Sequence, residues 1–359
     1  MWHIEMFVLP YRQCATLFAE DRWRLPFVFS PEYFQFHEKR LSASGVIVGY
    51  RGAIMPLCLF RGRFLKAGQL MFPPVREYGR IPAHEELEML EVFLGYMRAQ
   101  HMLDRLIVPP SFALFQTAPM GTRHCSFGTY YLDLEHKSEE ILWTSLHSHH
   151  RYDIRNAQQD GVTIRAGAPE LDAFYALYQT TMARSGMPCE PLSYFEDLWT
   201  ALGEEHIVCA VAYDGAIPQG GLFAPYTTYA AYYLYGAWAD EMTIKGSIKA
   251  LHWETIRFLK GKEVRRYDFA GARLSDVTGT KLDDIQRFKA RFGSTLEKGF
   301  LWKGDLPSWK TWAHDYLRGL RVRFNGVTKG DEKKASVDIV DQEIHPEVRA
   351  DYLNKRSSD

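Results

Sequence analysis

The chain has 359 residues, 43 basic against 44 acidic side chains, and a formal charge of −1. That length suits two ordinary domains better than one core, and the neutral balance excludes indiscriminate coating of nucleic acid while leaving room for a local basic groove. No apolar run approaches the ~20 residues of a membrane-spanning helix, and the start "MWHIEMFVLPYRQ" lacks the basic-then-apolar plan of a signal peptide.

In chain order, "GVIVGYRGAIMPLCLFRG" reads as two apolar strands about Arg51-Gly52, and "AHEELEMLEVFLGYMRAQ" as an amphipathic helix. "RLIVPP" is a buried strand stopped by prolines, and "SFGTYYLDL" a further strand. The second half repeats the plan: strand "VTIRA", then a helix "PELDAFYALYQTTMARSG" closed by Gly186. Next come the strands "HIVCAVAYDG", "IPQGGLFAPY" and "TYAAYYLYGAW". A helix "SIKALHWETIRFLKGK", a strand "VRRYDFAG", a helix "KLDDIQRFKARFG" and a last strand near "TLEKGFLW" follow. The expected class is α/β (α+β), with mixed sheets flanked by helices. Its domains are 1–138 and 139–304, joined near 136–146. A helix over 305–325 is expected to pack back on the first domain. Residues 326–359 read as a loosely docked polar tail, in which "VDIVDQEI" can add an edge strand. The five cysteines, Cys14, Cys58, Cys125, Cys189 and Cys209, are odd in number and form no CxxC, which points to a reducing cytosol.

"SLHSHHRYDIRNAQQDGVTIR" gathers three histidines and three arginines. On a helix, His147, Arg151 and Arg155 fall on one flank while His149 points elsewhere, so the three histidines cannot share one metal. Two guanidinium groups on one flank can clamp a phosphate, or the helix is simply a solvated basic face. In "IQRFKARF", Ile285, Phe288 and Phe292 share an apolar face with Lys289 at its border. There an ammonium either covers the edge of the core or, partly desolvated, stabilises negative charge on a carbonyl that becomes tetrahedral. Asp268 ends a strand, where α/β proteins place sites; it reads as a general base or as a carboxylate fixing the next helix. Tyr233 and Tyr235 share a face by strand alternation and suit substrate contact or packing. His252, between Leu251, Ile256 and Leu259, reads as a satisfied core histidine.

Four stretches between residues 150 and 293 resemble, in order, the FemABX family of peptidoglycan cross-bridge aminoacyl transferases. They are "RYDIRNAQQDGVTI" with "ELDAFYALYQTTMARSG", then "YYLYGAW", "ALHWETIRFLKGKEVRRYDFAG" and "IQRFKARFG". The resemblance implies two tandem GNAT-like acyltransferase domains and an N-acyltransferase that forms an amide. The implied donor is an aminoacyl-tRNA, and the acceptor an amine on a phosphorylated or lipid-linked glycan precursor of peptidoglycan. The implied location is the cytoplasm, with peripheral membrane contact through the substrate at most and no metal or redox cofactor. By this resemblance Lys289, Asp268 and Tyr235 are the catalytic candidates, and Arg151, Arg155 and Tyr233 the substrate-binding ones. "ADEMTIKGSIKAL" contains one glycine, unlike the glycine-rich pyrophosphate loop of coenzyme-A-using GNAT enzymes, although Gly246 and Ser247 can still open an anion-binding helix end. Two alternatives stay open: an acyl-CoA- or acyl-carrier-dependent N-acyltransferase acting on an amino sugar or lipid, and a non-catalytic glycan-precursor-binding protein of the same fold.

Overall fold

The computed structural model describes residues 6–14, 24–62, 64–77, 79–306, 310, 311, 313, 316 and 338–344. Along the chain run β1 (Met6–Pro10), α1 (Tyr11–Cys14), α2 (Pro31–Leu41), β2 (Ala43–Tyr50), β3 (Ala53–Arg61), β4 (Lys66–Leu70) and the short pair β5 (Val75–Arg76) and β6 (Gly79–Arg80). Then come α3 (Ala83–Ala99), β7 (Arg105–Ile107), β8 (Arg123–Asp133), α4 (Glu139–Ser145), α5 (Ser148–Gln159), β9 (Thr163–Ala166), α6 (Leu171–Arg184) and α7 (Leu192–Leu202). After these follow β10 (Ile207–Asp214), β11 (Ile217–Pro225), β12 (Ala231–Tyr232), β13 (Tyr235–Trp238), α8 (Ser247–Gly261) and β14 (Arg266–Asp268). The last are β15 (Ala272–Arg273), α9 (Lys281–Ala290), β16 (Thr295–Asp305) and α10 (Ile339–Ile344). The mixed α/β class read from the sequence is the class observed.

The chain forms two compact units, and they are not simply its two halves. One comprises Met1–Ala19, His37–Phe127 and Lys298–Lys355; the other comprises Glu20–Phe36, Gly128–Glu297 and Arg356–Asp359. The expected linker near 136–146 is instead helix α4, whose N-cap Ser138 accepts from the Ile141 N–H at 3.2 Å. A strand can leave one core and enter another without a break in its ladder, so strand β16, placed whole in the second domain by its sequence position, changes unit at Lys298.

In the first unit β1 to β4 form an antiparallel meander, β4 pairs parallel with β7, and β7 pairs antiparallel with the end of β16. The β2–β3 turn needs two left-handed residues, and Arg51 (φ 46°) and Gly52 (φ 77°) supply them. Helix α3 buries Met89, Leu90, Phe93 and Met97, spaced to one stripe, over Val48, Met55, Leu57 and Trp302. Within the expected tail, "VDIVDQEI" contributes helix α10, not an edge strand. Asp338 caps it, accepting from the Val340 and Asp341 N–H groups at 3.1 Å each. Val340 is fully buried with Leu114, Cys125, Phe127 and Leu301, and the buried Lys303 meets Asp338 at 2.5 Å and Asp341 at 2.7 Å. The helix expected over 305–325 and the rest of the tail lie largely outside the described residues.

In the second unit β13, β11, β10 and β9 form an antiparallel sheet in that order. Alternation along β10 and β11 sends Val208, Ala210, Ala212 and Leu222 to the core shared with α5 and α8. It sends Phe223 the other way, to Phe174 of α6 and Phe195 of α7. Two glycines let both helices approach. A Cβ at Gly220 would lie 1.8 Å from Ile248 of α8, and one at Gly221 3.0 Å from Phe174. Separately, β12 pairs parallel with β14, and β14 pairs antiparallel with the end of β8. The expected strand "TYAAYYLYGAW" therefore divides its hydrogen bonds between two neighbours. Its start goes to β14 and its end to β11. The changeover falls at Tyr233 and Leu234.

Candidate active site around Lys289

The sequence "RYDFAG" places a charged residue at every second position of β14, so Arg266 and Asp268 share a face. Arg266 Nη2 donates to Asp268 Oδ2 at 2.8 Å and Nη1 meets Glu297 at 2.6 Å. Its guanidinium carbon lies 3.9 Å over the Tyr131 ring. Burial works against that charge, but Asp268 and Glu297 outweigh it and raise the Arg266 pKa. The other Asp268 oxygen accepts from the Thr129 hydroxyl and, at 2.8 Å, from the Ala270 N–H. Asp268 is thus a fully buried carboxylate with a guanidinium, a hydroxyl and an amide as donors. Those donors take three of its roughly four lone-pair sites, an arrangement that fits a supporting role.

What Asp268 supports is a turn of unusual shape. Ala270 (φ 50°) and Gly271 (φ 46°) are consecutive left-handed residues, a conformation costing an alanine about 1–2 kcal/mol, which the bond from Ala270 N–H to Asp268 offsets. The turn aims both carbonyls at one side chain. Lys289 Nζ donates to Ala270 O and, at 2.8 Å, to Gly271 O. Lys289 is the one buried residue of α9, deeper than Ile285 or Phe288, so it lies inside the wall rather than at its border. Burial pulls its pKa down to about 8, against the attraction of Asp268. Among the described residues no carboxylate lies within ion-pairing distance of it. Two of its three donors are used.

Around this lysine the helices form an aromatic box. His252 packs on Tyr233, Phe269, Phe288 and Phe292, and His150 on Phe288 and Phe292. His252 Nδ1 lies 3.0 Å from the Tyr267 hydroxyl and His150 Nε2 lies 3.2 Å from the Phe288 carbonyl. Burial drives both imidazole pKa values down, to about 3 for His252 and about 4 for His150, so both rings are neutral at physiological pH. His252 is thus buried in the core, as its helical position suggests, but not fully satisfied: among the described residues its Nε2 has no hydrogen-bond partner. The box closes because Gly293 ends α9 with φ 76° and passes close to α4, where a Cβ would lie 2.7 Å from Ser145 O. There the His147 N–H donates to Arg291 O at 2.9 Å.

The remaining candidates are not brought to this point together. Tyr233 belongs to the box, its N–H donating to Asp268 O at 2.8 Å. Tyr235 instead packs on Tyr178, Tyr194, Phe195 and Phe223. Their expected shared face is lost because the strand changes partner between them. Arg151 and Arg155 do share a flank, but α4 engages the Arg151 guanidinium while Arg155 stays exposed. Arg151 Nη1 donates to Thr144 O at 2.9 Å and to Leu146 O, capping α4, and Arg155 lies 5.3 Å over Trp143. They are not an open pair of forks for one phosphate. The three histidines also part: His147 caps α5, His149 pairs with Asp153 at 3.0 Å, and His150 enters the box. Sequence reasoning missed Arg266, Thr129, His150 and Asp153. Arg266 was legible from its spacing to Asp268, and the others had no local signal.

The fully buried Asp153 packs against the start of α8. A Cβ at Gly246 would lie 2.4 Å from Asp153 O, and the Asp153 carboxylate contacts Lys249 in the first turn of α8. Burial opposes that charge, but Lys249 and His149 outweigh it and keep the pKa low. The end of the helix already has an internal anion.

Residues 115–214 match the model of the FemAB family. Over that segment the chain is similar to the FemAB family. Among solved structures the chain is similar to FemX, at 13% identity and TM-score 0.60, over 83% of this chain and 97% of that one. It is also similar to L-PGS from Bacillus licheniformis (13% identity, TM-score 0.48, 78% of this chain and 93% of that one). A tandem GNAT protein from the clavulanic acid biosynthesis pathway matches at 13% identity and TM-score 0.45, over 85% of this chain and 99% of that one. No curated protein matches the chain. Among the described residues, no helix is long and apolar enough to cross a membrane.

Proposed function

We propose that the protein is an aminoacyl-tRNA-dependent N-acyltransferase that forms an amide on an amine of a peptidoglycan precursor. The observation that carries this reading is Lys289: a buried ammonium with two neutral carbonyl partners, no carboxylate in ion-pairing contact among the described residues, and one donor to spare. As an amine attacks an ester carbonyl, negative charge develops on the carbonyl oxygen, and a fixed, desolvated cation stabilises that charge more than the ground state. Asp268 acts through the 270–271 turn, fixing the carbonyls that aim Lys289, and Tyr233 braces the same strand end.

The test incubates purified protein with a peptidoglycan precursor and either aminoacyl-tRNA or acyl-CoA, reading the product by mass. The expected result is an aminoacyl amide from the tRNA donor alone. Transfer from acyl-CoA with none from aminoacyl-tRNA overturns the reading.

A further inference from the structure

Asp268 and Lys289 grip the same residue without touching each other. Asp268 Oδ1 accepts from the Ala270 N–H at 2.8 Å, while Lys289 Nζ donates to the Ala270 carbonyl. A buried anion and a buried cation thus stand on either side of one residue, among aromatic rings that weaken no charge. Opposite charges so placed attract, and a direct ion pair would consume the ammonium.

What keeps them apart is the occupancy of the carboxylate. Its Oδ2 accepts from Arg266 Nη2 at 2.8 Å, and its Oδ1 from the Thr129 hydroxyl and the Ala270 N–H. Thr129 and Ala270 are neutral donors, so Arg266 is the partner that cancels the Asp268 charge. The guanidinium is itself held from two further sides. Its Nη1 meets Glu297 at 2.6 Å, and its plane lies 3.9 Å over the Tyr131 ring.

We propose that Arg266 is a positioning residue of the Lys289 site: by holding Asp268 it keeps that carboxylate from pairing with Lys289 and leaves the ammonium free to meet charge on a substrate. The kinetic part of this role rests on the reading of Lys289 as the group that stabilises the oxyanion; the ionic part rests on the geometry alone.

The groups that bear on the Lys289 charge are few. Asp268 attracts it, while His252 of α8 and His150 of α5 are neutral rings. Removing the Arg266 cation leaves the Asp268 charge to act on Lys289, so the Lys289 pKa should rise from about 8. Replacing Asp268 by asparagine keeps an oxygen for the Ala270 N–H but removes the anion, so there the pKa should fall.

The experiment follows the Lys289 ammonium by NMR in the full chain, with lysine side chains carrying the heavy nitrogen isotope. The signal is assigned by its loss in Lys289→Met. In Arg266→Gln the titration midpoint should rise by about one pH unit or more. Turnover should fall roughly tenfold with acceptor KM little changed. Arg266→Lys, which keeps the charge, should return the midpoint to near the parent value. A merely structural arginine would lower the melting temperature and leave the midpoint where it was. An unmoved or lowered midpoint in folded Arg266→Gln overturns the proposal. So does an unmoved midpoint in Asp268→Asn, which decides the matter if Arg266→Gln does not fold. The expected midpoint shifts in a protein that transfers no acyl group count against the enzyme reading alone.

Discussion

Each of the two units buries a lysine, and the two are satisfied in different ways. Lys303 meets two carboxylates, Asp338 and Asp341. Lys289 meets two backbone carbonyls and no carboxylate among the described residues. A carboxylate cancels the lysine's charge; a carbonyl orients the ammonium but leaves its charge to act. The first arrangement suits a fastening, which joins the end of the chain to β16. The second suits a site where negative charge appears only during a reaction. Under the proposed function it is the kind of partner, more than burial, that sets Lys289 apart from Lys303.

The contrast is broken most strongly at the fastening. Replacing Asp338 and Asp341 together by alanine leaves the Lys303 cation buried and alone, and removes the cap of α10. A loss of about 3–5 kcal/mol in denaturant unfolding is expected. Lys303→Met should cost much less, because both aspartates keep access to water. A double variant as stable as the parent would show that α10 does not fasten the chain.

At Lys289 the same methionine substitution should be a kinetic lesion. Loss of two hydrogen bonds and relief of the desolvated charge oppose each other, so stability should move by only about 1–2 kcal/mol. Turnover should fall by roughly 10²–10³ with acceptor KM little changed. The ammonium is needed, and its pKa is about 8, so turnover of the parent should fall above about pH 8. That limb should be absent from the residual rate of the variant. Raised KM with turnover preserved would make Lys289 an acceptor-binding group instead.

The sequence carried the Lys289 half of this contrast much better than the Lys303 half. Helical spacing set Lys289 beside Ile285, Phe288 and Phe292, and strand spacing could have joined Arg266 to Asp268. What was hidden depended on chain-distant approach. His150 reaches Phe292 across 142 positions of chain, and Lys303 and Asp338 are 35 positions apart. Tyr233 and Tyr235 were misread because alternation assumes one continuous strand, and this strand changes partner between them. The segment "VDIVDQEI" was misread as a strand because its pattern alternates, while Val340 and two aspartates seat residues 339–344 as a helix.

The neutral box around Lys289 predicts an acid weakness. His150 and His252 titrate near pH 4 and pH 3 in the fold, against an ordinary value of 6.5. Between those limits the unfolded chain binds more protons than the folded one, so stability is full above about pH 6.5 and declines as pH falls. From pH 6.5 to pH 5 each ring should contribute a loss of about 1–2 kcal/mol. His252→Gln and His150→Gln should each flatten the urea midpoint against pH. An unchanged slope in both would mean that other groups carry the acid limb.

The smallest expected effect separates the two arginines of α5. If Arg151 serves α4 rather than a ligand, Arg151→Ala removes its bonds to Thr144 O and Leu146 O and should cost about 1–3 kcal/mol, felt as a modest fall in Tm. Arg155→Ala removes no hydrogen bond within the protein, so its Tm should hold. A phosphorylated acceptor whose affinity fell equally in both variants would show that the shared flank does clamp an anion. Helix α4 would then have to move aside, because the Arg151 guanidinium is engaged with its last turn.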